Sequence, residues 1–484
     1  LSWPSVRSAW CPDGPMLLRR FYDENLAQAS YLIGCQATGD AVVVDANRDI
    51  EQYVRAAAEE GLRLSHVTET HIHADFVSGS RELAQHTGAQ LHLSAEGGKD
   101  WQYAFAESAR ARLLHDGDTI AVGNVRLDAR HTPGHTPEHL TFLVTDTAAT
   151  EYPMGALTGD FIFAGDVGRP DLLERATNIA GTMDGSARTL FASLKKFATL
   201  PDYLQLWPGH GAGSACGKAL GAVPSTTLGY ERIANWGLAA SDEDEFVRLV
   251  LEGQPEPPRY FAHMKRINRD GPAMVGDIQS PRRIDGSQIT PILDDGALVV
   301  DTRDAGTFVA RHLAGTINIP LNRSFTTWAG SLIPYDREFF LLTGGDDPHV
   351  AADAARRLAL IDLECDGWFG RDTFDEARAE TTPQVSVRAL STLLGEKGAF
   401  VLDVRGDAEW KHGHLTGVRN IPLGQLADHL DELPRDVPIV VHCQSGGRSA
   451  IAASILAANG FDNVASLTGG FAEWAASGLP IEWP

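Results

Sequence analysis

An internal repeat in the C-terminal half limits the possible folds more than any other feature of the sequence. Residues 298–303 (LVVDTR) match residues 400–405 (FVLDVR), and residues 312–320 (HLAGTINIP) match residues 414–422 (HLTGVRNIP). Both matches are offset by 102 residues. A period this long indicates two copies of one domain, because the units of a solenoid are typically about 20–50 residues long. Each copy is therefore expected to be an α/β domain of about 100 residues.

The whole chain, at 484 residues, is too long for a single core and predicts about three domains. In its first part, residues 41–45 (AVVVD) are typical of an apolar strand, residues 50–61 have helical spacing and a glycine stop, and residues 64–70 (LSHVTET) are typical of another strand. Clustered prolines at residues 253–258 indicate a linker, and the domain edge is placed shortly after it because Tyr260 to Arg266 are expected to pack back on the first domain. The predicted domains, all α/β, are residues 14–268, 275–380 and 383–484.

The charge of the chain excludes some classes of partner. A formal net charge of -23, from 41 basic and 64 acidic residues, repels phosphate backbones and anionic lipid surfaces. No apolar run approaches the roughly 18–20 residues that cross a bilayer, and residues 1–13 lack the basic-then-apolar order of a signal peptide. We therefore expect neither nucleic acid nor membrane as a partner.

The cysteines indicate a reducing compartment. Their number is odd and they lie far apart, which does not fit a disulfide framework. A cytoplasmic location with free thiols is the better interpretation, and most of these thiols are expected to be buried and inert. The five are Cys11, Cys35, Cys216, Cys365 and Cys443.

Three short motifs in the first part predict a metal site. Residues 70–76 (THIHADF) place His71 and His73 directly after a strand, residues 131–139 (HTPGHTPEH) offer His135, and residues 157–160 (LTGD) end in Asp160. A lone histidine is usually a hydrogen-bonded core or surface residue. Imidazoles and a carboxylate at successive strand ends, in contrast, project into one cleft and together suit a metal ion.

These motifs, in this order, resemble the metallo-β-lactamase superfamily over roughly the first 260 residues. The resemblance implies an αββα sandwich that brings the motif loops together. Members with two metal ions usually have a histidine directly after the aspartate of the first motif, where this chain has Phe76. A single metal is therefore expected. Its nitrogen and oxygen ligands fit zinc for hydrolysis, or ferrous iron bound by two histidines and one carboxylate.

Longer segments resemble the persulfide dioxygenase branch, specifically its bacterial members fused to rhodanese domains. These segments are residues 71–79, 157–171 and 207–217. The resemblance implies one Fe(II) per chain, with His73 close to the metal but not bound to it. In a zinc enzyme, His73 would be the fourth ligand. The iron ligands implied by the resemblance are His71, His135 and Asp160.

Other polar residues of this domain have predicted supporting roles. Asp75 and Asp45 are expected to orient the metal ligands. His210 lies on a glycine-rich loop and is expected to form a polar wall of the pocket. Cys216, six residues later, is either a buried thiol or a sulfur acceptor that contacts the persulfide. Arg169 either holds a substrate anion or pairs with a neighbouring aspartate.

The second copy of the repeat contains a reactive cysteine loop. Residues 438–442 (PIVVH) are typical of a strand, and residues 443–449 (CQSGGRS) turn from it into a helix that begins near Ala450. The backbone N–H groups of residues 444–447 (Gln444, Ser445, Gly446 and Gly447) and the helix N-terminus would point at the sulfur of Cys443 and favour a thiolate. A phosphatase loop has five residues between cysteine and arginine. Only four separate Cys443 from Arg448, which predicts a smaller cradle for a persulfide sulfur.

This loop, together with residues 403–405 and 413–417, resembles the rhodanese family over about residues 383–484. The resemblance implies a doubly wound α/β domain in which Cys443 carries a persulfide and Arg448 supports the loop or a substrate anion. Asp403 and Arg405 are expected to form a structural ion pair. The first copy has Leu-Thr at residues 342–343 in place of His-Cys, so it is expected to be catalytically silent. Packing, spacing and subunit contact remain open as its use.

The two resemblances together imply a persulfide dioxygenase that uses O2 to form sulfite, with sulfur transfer from Cys443 giving thiosulfate in sulfide detoxification. A zinc-dependent thioester hydrolase of the glyoxalase II type, with passenger rhodanese domains, is the alternative. A non-enzymatic sulfur-relay scaffold is a third interpretation. The identity of the low-molecular-weight thiol that carries the persulfide is open, as is the oligomeric state, including a homo-oligomer.

Overall fold

The computed structural model describes residues 16–172, 182–218, 220–370, 373, 378–396 and 398–483, so Cys11 lies outside the described residues. The chain forms two compact units, Leu1–Asp277 and Ile278–Pro484, and both copies of the repeat belong to the second. Among the described residues, no helix combines the length and apolar character that a membrane crossing requires.

The first unit contains two six-stranded sheets. The first sheet has the order β1-β2-β3-β4-β5-β6 and the second the order β12-β11-β10-β9-β8-β7. The strands of the first sheet are β1 Met16–Asp23, β2 Gln28–Cys35, β3 Asp40–Val44, β4 Arg63–Thr68, β5 Gln90–Ser94 and β6 Arg112–Leu114. Those of the second are β7 Thr119–Val122, β8 Val125–His131, β9 Leu140–Asp146, β10 Gly155–Gly159, β11 Gln205–Pro208 and β12 Thr226–Thr227.

Alternating side chains of β3 show how the two sheets are layered. Val42 and Val44 face a core shared with the second sheet, whereas Ala41 and Val43 face a core shared with helices. Successive side chains of a strand point to opposite faces, so a sheet buried on both sides needs this continuous apolar run. A third core, between the second sheet and its own helices, completes the predicted αββα sandwich.

The helices of this unit lie on the outer faces of the sandwich. The structure confirms the helix and the two strands predicted over residues 41–70, which are helix Glu51–Glu59 and strands β3 and β4. The helices are α1 Glu51–Glu59, α2 Ser80–Thr87, α3 Met183–Phe197, α4 Leu228–Ala234, α5 Trp236–Ala239, α6 Glu243–Leu251 and α7 Phe261–Asp270, with a short 3-10 helix at Lys99–Trp101.

The second unit contains two parallel sheets with matching strand order. The first copy has the order β15-β13-β16-β17. The second copy has the corresponding order β22-β20-β23-β24, with β19 added beside β24. Strands are β13 Leu298–Asp301, β14 His312–Leu313, β15 Ile317–Asn318, β16 Phe339–Leu342, β17 Gly367–Phe369, β18 Ala379–Glu380, β19 Gln384–Val385, β20 Phe400–Asp403, β21 His414–Leu415, β22 Arg419–Asn420, β23 Ile439–His442, β24 Val464–Leu467 and β25 Ile481–Glu482. The pairs β14-β18 and β21-β25 are antiparallel.

Helices cover these sheets as well. They are α8 Ile289–Asp294, α9 Ala305–Ala310, α10 Phe325–Leu332, α11 Pro348–Ala359, α12 Val387–Glu396, α13 Asp407–Lys411, α14 Gly447–Ala458 and α15 Gly470–Ala476, with 3-10 helices at Gly286–Gln288 and Leu423–Glu432.

An ion pair repeated at the same position supports the duplication. Arg405 donates from Nε to Asp403 Oδ2 at 3.0 Å, and Arg303 does the same to Asp301 Oδ2 at 3.0 Å. Asp301, Asp403 and Arg405 are buried, and each arginine lies two residues beyond the aspartate that ends its strand. This confirms the predicted structural ion pair and shows that the two copies share it.

Candidate metal centre and cysteine loop

Three buried side chains meet at the strand ends of the first unit. His71 follows β4, His135 lies between β8 and β9, and Asp160 follows β10. Asp160 Oδ2 lies 4.0 Å from His71 Nε2 and 3.5 Å from His135 Nε2. One ligand atom of each residue lies within 4.8 Å of those of the other two. The structure thus brings together the three ligands implied by the resemblance.

The charge state of these groups fits a cation. Burial, followed by the neighbouring imidazoles, lowers the pKa of His71 well below its usual value. Burial also lowers the pKa of His135, although Asp160 opposes the shift, so both rings are neutral and have a lone pair free. Neither carboxylate oxygen of Asp160 accepts a hydrogen bond from any described residue. A buried carboxylate that accepts no hydrogen bond is unfavourable, and a bound divalent metal would compensate for it.

Both histidine rings are oriented through their other nitrogen. His71 Nδ1 lies 3.0 Å from Thr70 Oγ1, and His135 Nδ1 donates to the carbonyl oxygen of Arg169 at 3.1 Å. Such contacts fix the ring and leave Nε2 for the metal. The backbone also approaches closely, since a Cβ atom at Gly209 would lie 2.9 Å from Asp160 Oδ1. These residues together indicate a metal site.

His73 is held outside this set of ligand atoms. Its Nε2 lies 3.1 Å from Asp45 Oδ1, and Asp45 also accepts from the backbone N–H of Thr70 at 2.6 Å. Burial would lower the pKa of His73, but Asp45 raises it to about 9. Asp45 adopts a φ of 57° at the turn after β3. Asp45 thus contacts the ligand loop as predicted, and the role of His73 beside the metal stays a prediction.

Asp75, His210 and Cys216 form a second buried group that sequence reasoning treated as separate residues. His210 Nε2 lies 3.3 Å from Asp75 Oδ2 and 3.4 Å from Asp160 Oδ1, and a ligand atom of each of the three lies within 4.8 Å of the others. Burial, together with the nearby carboxylates, raises the pKa of Cys216 well above its usual value, and burial raises the pKa of Asp75. A neutral thiol is a weak nucleophile. Phe76 is fully buried beside His73.

In the second unit, Cys443 lies buried at the start of the loop after β23. The Cys443 side chain is 1% exposed, and the N–H of Gly446 donates to Sγ at 3.2 Å. Helix α14 begins at Gly447, three residues before the predicted start at Ala450. Gly446 has a φ of 110°, which turns the chain sharply enough for the helix to begin at once. The prediction of the helix start was therefore wrong, and Arg448 belongs to the first helical turn.

Arg448 pairs with a residue that the sequence did not reveal, and its role in the loop or at a substrate anion stays a prediction. Its Nη1 and Nη2 donate to Glu409 at 2.5 and 2.7 Å. Burial opposes ionisation of Glu409, but its hydrogen bonds with Arg448 hold the pKa of that carboxyl below its usual value. At the corresponding position of the first copy, Thr343 Oγ1 donates to the carbonyl oxygen of Gly345 at 2.8 Å. That loop has no thiol.

Comparison with known proteins agrees with both sites. Residues 24–210 match the metallo-beta-lactamase superfamily, and residues 386–477 match the rhodanese-like domain. The human mitochondrial persulfide dioxygenase ETHE1 is 31% identical over 244 residues, which cover 49% of this chain and 81% of the human protein. The Bos taurus protein of that name is 30% identical over 241 residues, covering 49% of this chain and 81% of the relative.

The chain belongs to the ETHE1-like persulfide dioxygenase family of the metallo-beta-lactamase superfamily. A solved metallo-beta-lactamase from Staphylococcus aureus subsp. aureus COL is 40% identical and has a TM-score of 0.66. The similarity covers 74% of this chain and all of the solved one, which is more than the first unit alone contains. The chain therefore combines an ETHE1-like metal domain with a C-terminal rhodanese-like domain.

Within the ETHE1-like domain, Arg169 connects three segments near the metal ligands. Its Nε and Nη2 donate to Asp171 at 3.0 and 2.7 Å, Nη1 donates to the carbonyl oxygen of Ala215 at 2.9 Å, and Nη2 also donates to that of Pro255 at 2.7 Å. The side chain is fully buried. This geometry is the aspartate pair that the sequence left as one of two options, and substrate binding by Arg169 stays a prediction.

Replacing Asp171 by alanine is expected to destabilise the ETHE1-like domain by about 3–5 kcal/mol, because it leaves a buried guanidinium that cannot lose its proton. Urea denaturation measures the change. Glu252→Ala is the control, since Glu252 pairs with Arg248 in an exposed i,i+4 contact and should lose at most about 0.5 kcal/mol. Equal losses in the two variants would contradict the structural role of the Arg169 pair.

A cavity of about 340 Å³ opens beside His135 and was missed by sequence reasoning. Residues 256–259 form part of its wall, so the proline cluster interpreted as a linker lines the cavity beside His135. Buried Tyr260 and Phe261 anchor this segment on the domain. Lys265 also lines the cavity, with Nζ 3.6 Å from the ring centroid of Trp101. The clustered prolines therefore belong to the candidate substrate pocket.

Proposed function

We propose that the first unit is a mononuclear Fe(II) enzyme that oxidises a low-molecular-weight persulfide. The reaction is RSSH + O2 + H2O → RSH + sulfite + 2H+. The observation that carries the proposal is one buried group of two neutral imidazoles and a carboxylate that accepts no hydrogen bond from the described residues, in a chain of the ETHE1-like family that also contains a thiol loop. Four described cysteines are free, which fits an enzyme that acts on reduced thiols in the cytoplasm.

His71, His135 and Asp160 would hold the iron, and they fit it as two nitrogen donors and one oxygen donor. When bound, ferrous iron supplies electrons for the reduction of O2 and a position for the persulfide sulfur. Thr70 and the carbonyl oxygen of Arg169 hold the rings in place, so the ligand atoms need little rearrangement when the metal arrives. The second group around Cys216 forms the polar wall beside Asp160 in this proposal.

The cavity beside His135 would bind the organic part of the persulfide. Ile72 and Phe261 supply apolar wall, and Arg259 and Lys265 supply cationic groups for a carboxylate or phosphate of the carrier thiol. Burial lowers the pKa of Lys265 to about 8, although Glu138 opposes the shift. Lys265 is therefore positively charged below about pH 8 and loses its charge above it.

The Michaelis constant for glutathione persulfide is expected to rise as pH increases through about 8, because Lys265 then stops attracting the substrate anion. Steady-state oxygen uptake between pH 6.5 and 9 measures the effect. Lys265→Met should raise the constant at pH 7 several-fold and flatten its pH dependence, whereas exposed Lys196→Met should change neither. If Lys265→Met kept the wild-type pH dependence of the Michaelis constant, another residue would have to contact the substrate anion.

In the second unit, the proposed role of Cys443 is to carry the outer sulfur of a second persulfide. Charging follows RSSH + Cys443–SH → RSH + Cys443–SSH, and sulfite then takes the outer sulfur to give thiosulfate and the free thiol. The helix N-terminus and the N–H of Gly446 stabilise negative charge on the sulfur during both steps. The first copy is proposed to be a second rhodanese-like domain that lacks the thiol.

The direct test is oxygen uptake by purified protein loaded anaerobically with ferrous iron and then given glutathione or coenzyme A persulfide. One O2 consumed per sulfur oxidised, with about one iron per chain, is expected. Zinc-loaded protein is the matched control and should consume no oxygen. If iron-loaded protein takes up no oxygen but zinc-loaded protein hydrolyses a glutathione thioester, the alternative hydrolase is correct and the proposal is overturned.

A further inference from the structure

The silent first copy and Cys443 line the same cavity. A cavity of about 340 Å³ opens over this residue inside the second unit. The second copy contributes Cys443, Arg448 and Ile451, but more than half of the lining residues come from the first copy, among them Asn322 and Trp328. The cysteine loop alone therefore forms only one side of the cavity.

The junction between the two copies holds this wall in place. The backbone N–H of Asn318, in β15 of the first copy, donates to Ser454 Oγ on α14 at 2.9 Å. Both residues are buried. Helix α14 begins directly after the cysteine loop, so the same helix that positions Arg448 also fixes the first copy against the cavity.

The lining of the cavity fits an organic molecule better than an inorganic anion. The guanidinium of Arg448 is already paired with Glu409, and the first copy adds the carboxylate of Asp304 rather than another cation. Trp328 and Ile451 supply apolar surface. The volume is in the range of about 300–1,000 Å³ that is usual for small organic ligands, and it is far larger than sulfite needs.

We propose that this cavity binds the organic part of the persulfide that charges Cys443, and that the first copy serves as its specificity wall. The inference rests on the proposed charging step, RSSH + Cys443–SH → RSH + Cys443–SSH. In that step the S–S bond of the donor breaks, a new S–S bond forms on Cys443, and the proton leaves with the carrier thiol. The silent copy thus acts in substrate selection without a thiol of its own.

Two variants test the specificity wall, one by removing a side chain from the cavity lining and one by adding bulk to it. Trp328→Ala removes the half-buried ring that packs at the cavity, and Ser324→Phe places bulk at an exposed position of the lining. Trp483→Ala is the matched control, because Trp483 is 67% exposed and lies outside the cavity lining. Ser324 is exposed, so its variant should fold even if Trp328→Ala does not.

Charging of Cys443 is followed by intact-protein mass spectrometry as the gain of one sulfur atom. With glutathione persulfide, Trp328→Ala and Ser324→Phe are expected to charge about tenfold more slowly than the wild type and Trp483→Ala. Inorganic hydrodisulfide, which has no organic part, should charge all four proteins within twofold of one another. Discharge of the persulfide by sulfite should be equally unaffected.

The outcomes separate the inference from the function on which it rests. If glutathione persulfide charges the wild type and both wall variants at equal rates, or if the variants slow hydrodisulfide to the same extent, the specificity wall is refuted while the sulfurtransferase remains. If neither donor charges the wild type at Cys443, the proposed sulfur transfer itself fails, and the inference fails with it. Oxygen uptake by the first unit is recorded in parallel to show that the protein is active.

Discussion

Replacement of Asp160 by asparagine should remove the metal and lower oxygen uptake at least about a hundredfold, since even the partners that orient metal ligands contribute about 10- to 100-fold. Asparagine keeps the shape of the side chain but loses the negative charge that balances a divalent ion. Iron analysis after anaerobic loading should fall from about one per chain to near zero. Persulfide-dependent oxygen uptake, measured with the same samples, should fall with it.

The same substitution should stabilise the metal-free protein. The Asp160 oxygens are buried without a hydrogen-bond partner among the described residues, and the pKa of the nearby Asp75 is raised mainly by burial and further by the charge of Asp160. Removing one of two close carboxylates relieves desolvation and repulsion worth about 1–3 kcal/mol. Thermal unfolding of metal-free protein measures this gain, with Asp184→Asn on the exposed start of α3 as the control. A metal-free Asp160→Asn protein less stable than the wild type would show that Asp160 has a structural role rather than a ligand role.

The metal ligands could be predicted from the sequence because strand ends determine where they lie. His71 and Asp160 each follow a strand within three residues, and strands in packed sheets deliver the residues that follow them to a common edge. Chain order and residue type then suffice to predict convergence. The identity of the metal does not follow from this reasoning, because two histidines and one carboxylate suit both zinc and iron.

Contacts between distant segments could not be predicted in the same way. Glu409 pairs with Arg448 across 39 residues, and Arg169 reaches the carbonyl oxygens of Ala215 and Pro255 across 46 and 86 residues. The periodicity of a sequence does not indicate which surface a loop contacts in the folded protein. The proline cluster shows the same limit, since its composition indicates irregular backbone but not that residues 256–259 line the cavity beside His135.

The cysteine loop falls between these cases. Its thiol, its glycines and the strand before it are local features, and aligning residues 342–343 with residues 442–443 shows that only the second copy has the thiol. The wall opposite Cys443 depends on how two copies pack, which only the structure supplies. The use of the copy without the thiol could therefore not be predicted from the sequence, because it depends on how the two copies pack.

Replacement of Cys443 by serine should abolish thiosulfate formation while oxygen uptake continues. A hydroxyl group cannot carry a persulfide sulfur, whereas the metal ligands belong to the other unit and remain intact. Sulfite should therefore accumulate in an amount equal to the oxygen consumed. Chromatography of sulfite and thiosulfate from one reaction with glutathione persulfide gives the ratio directly. Serine is nearly the same size, and its oxygen can accept the hydrogen bond that Gly446 N–H now gives to the sulfur.

Cys365→Ser is the matched control for this prediction. Cys365 is buried in the first copy, and burial raises the pKa of its thiol to about 12, so it should not act as a nucleophile. Its replacement should leave the ratio of thiosulfate to sulfite at the wild-type value. If Cys443→Ser also kept that ratio, the sulfur carrier would have to be another thiol. Cys216 would then be the residue to test, because it lies in the second buried group with Asp75 and His210.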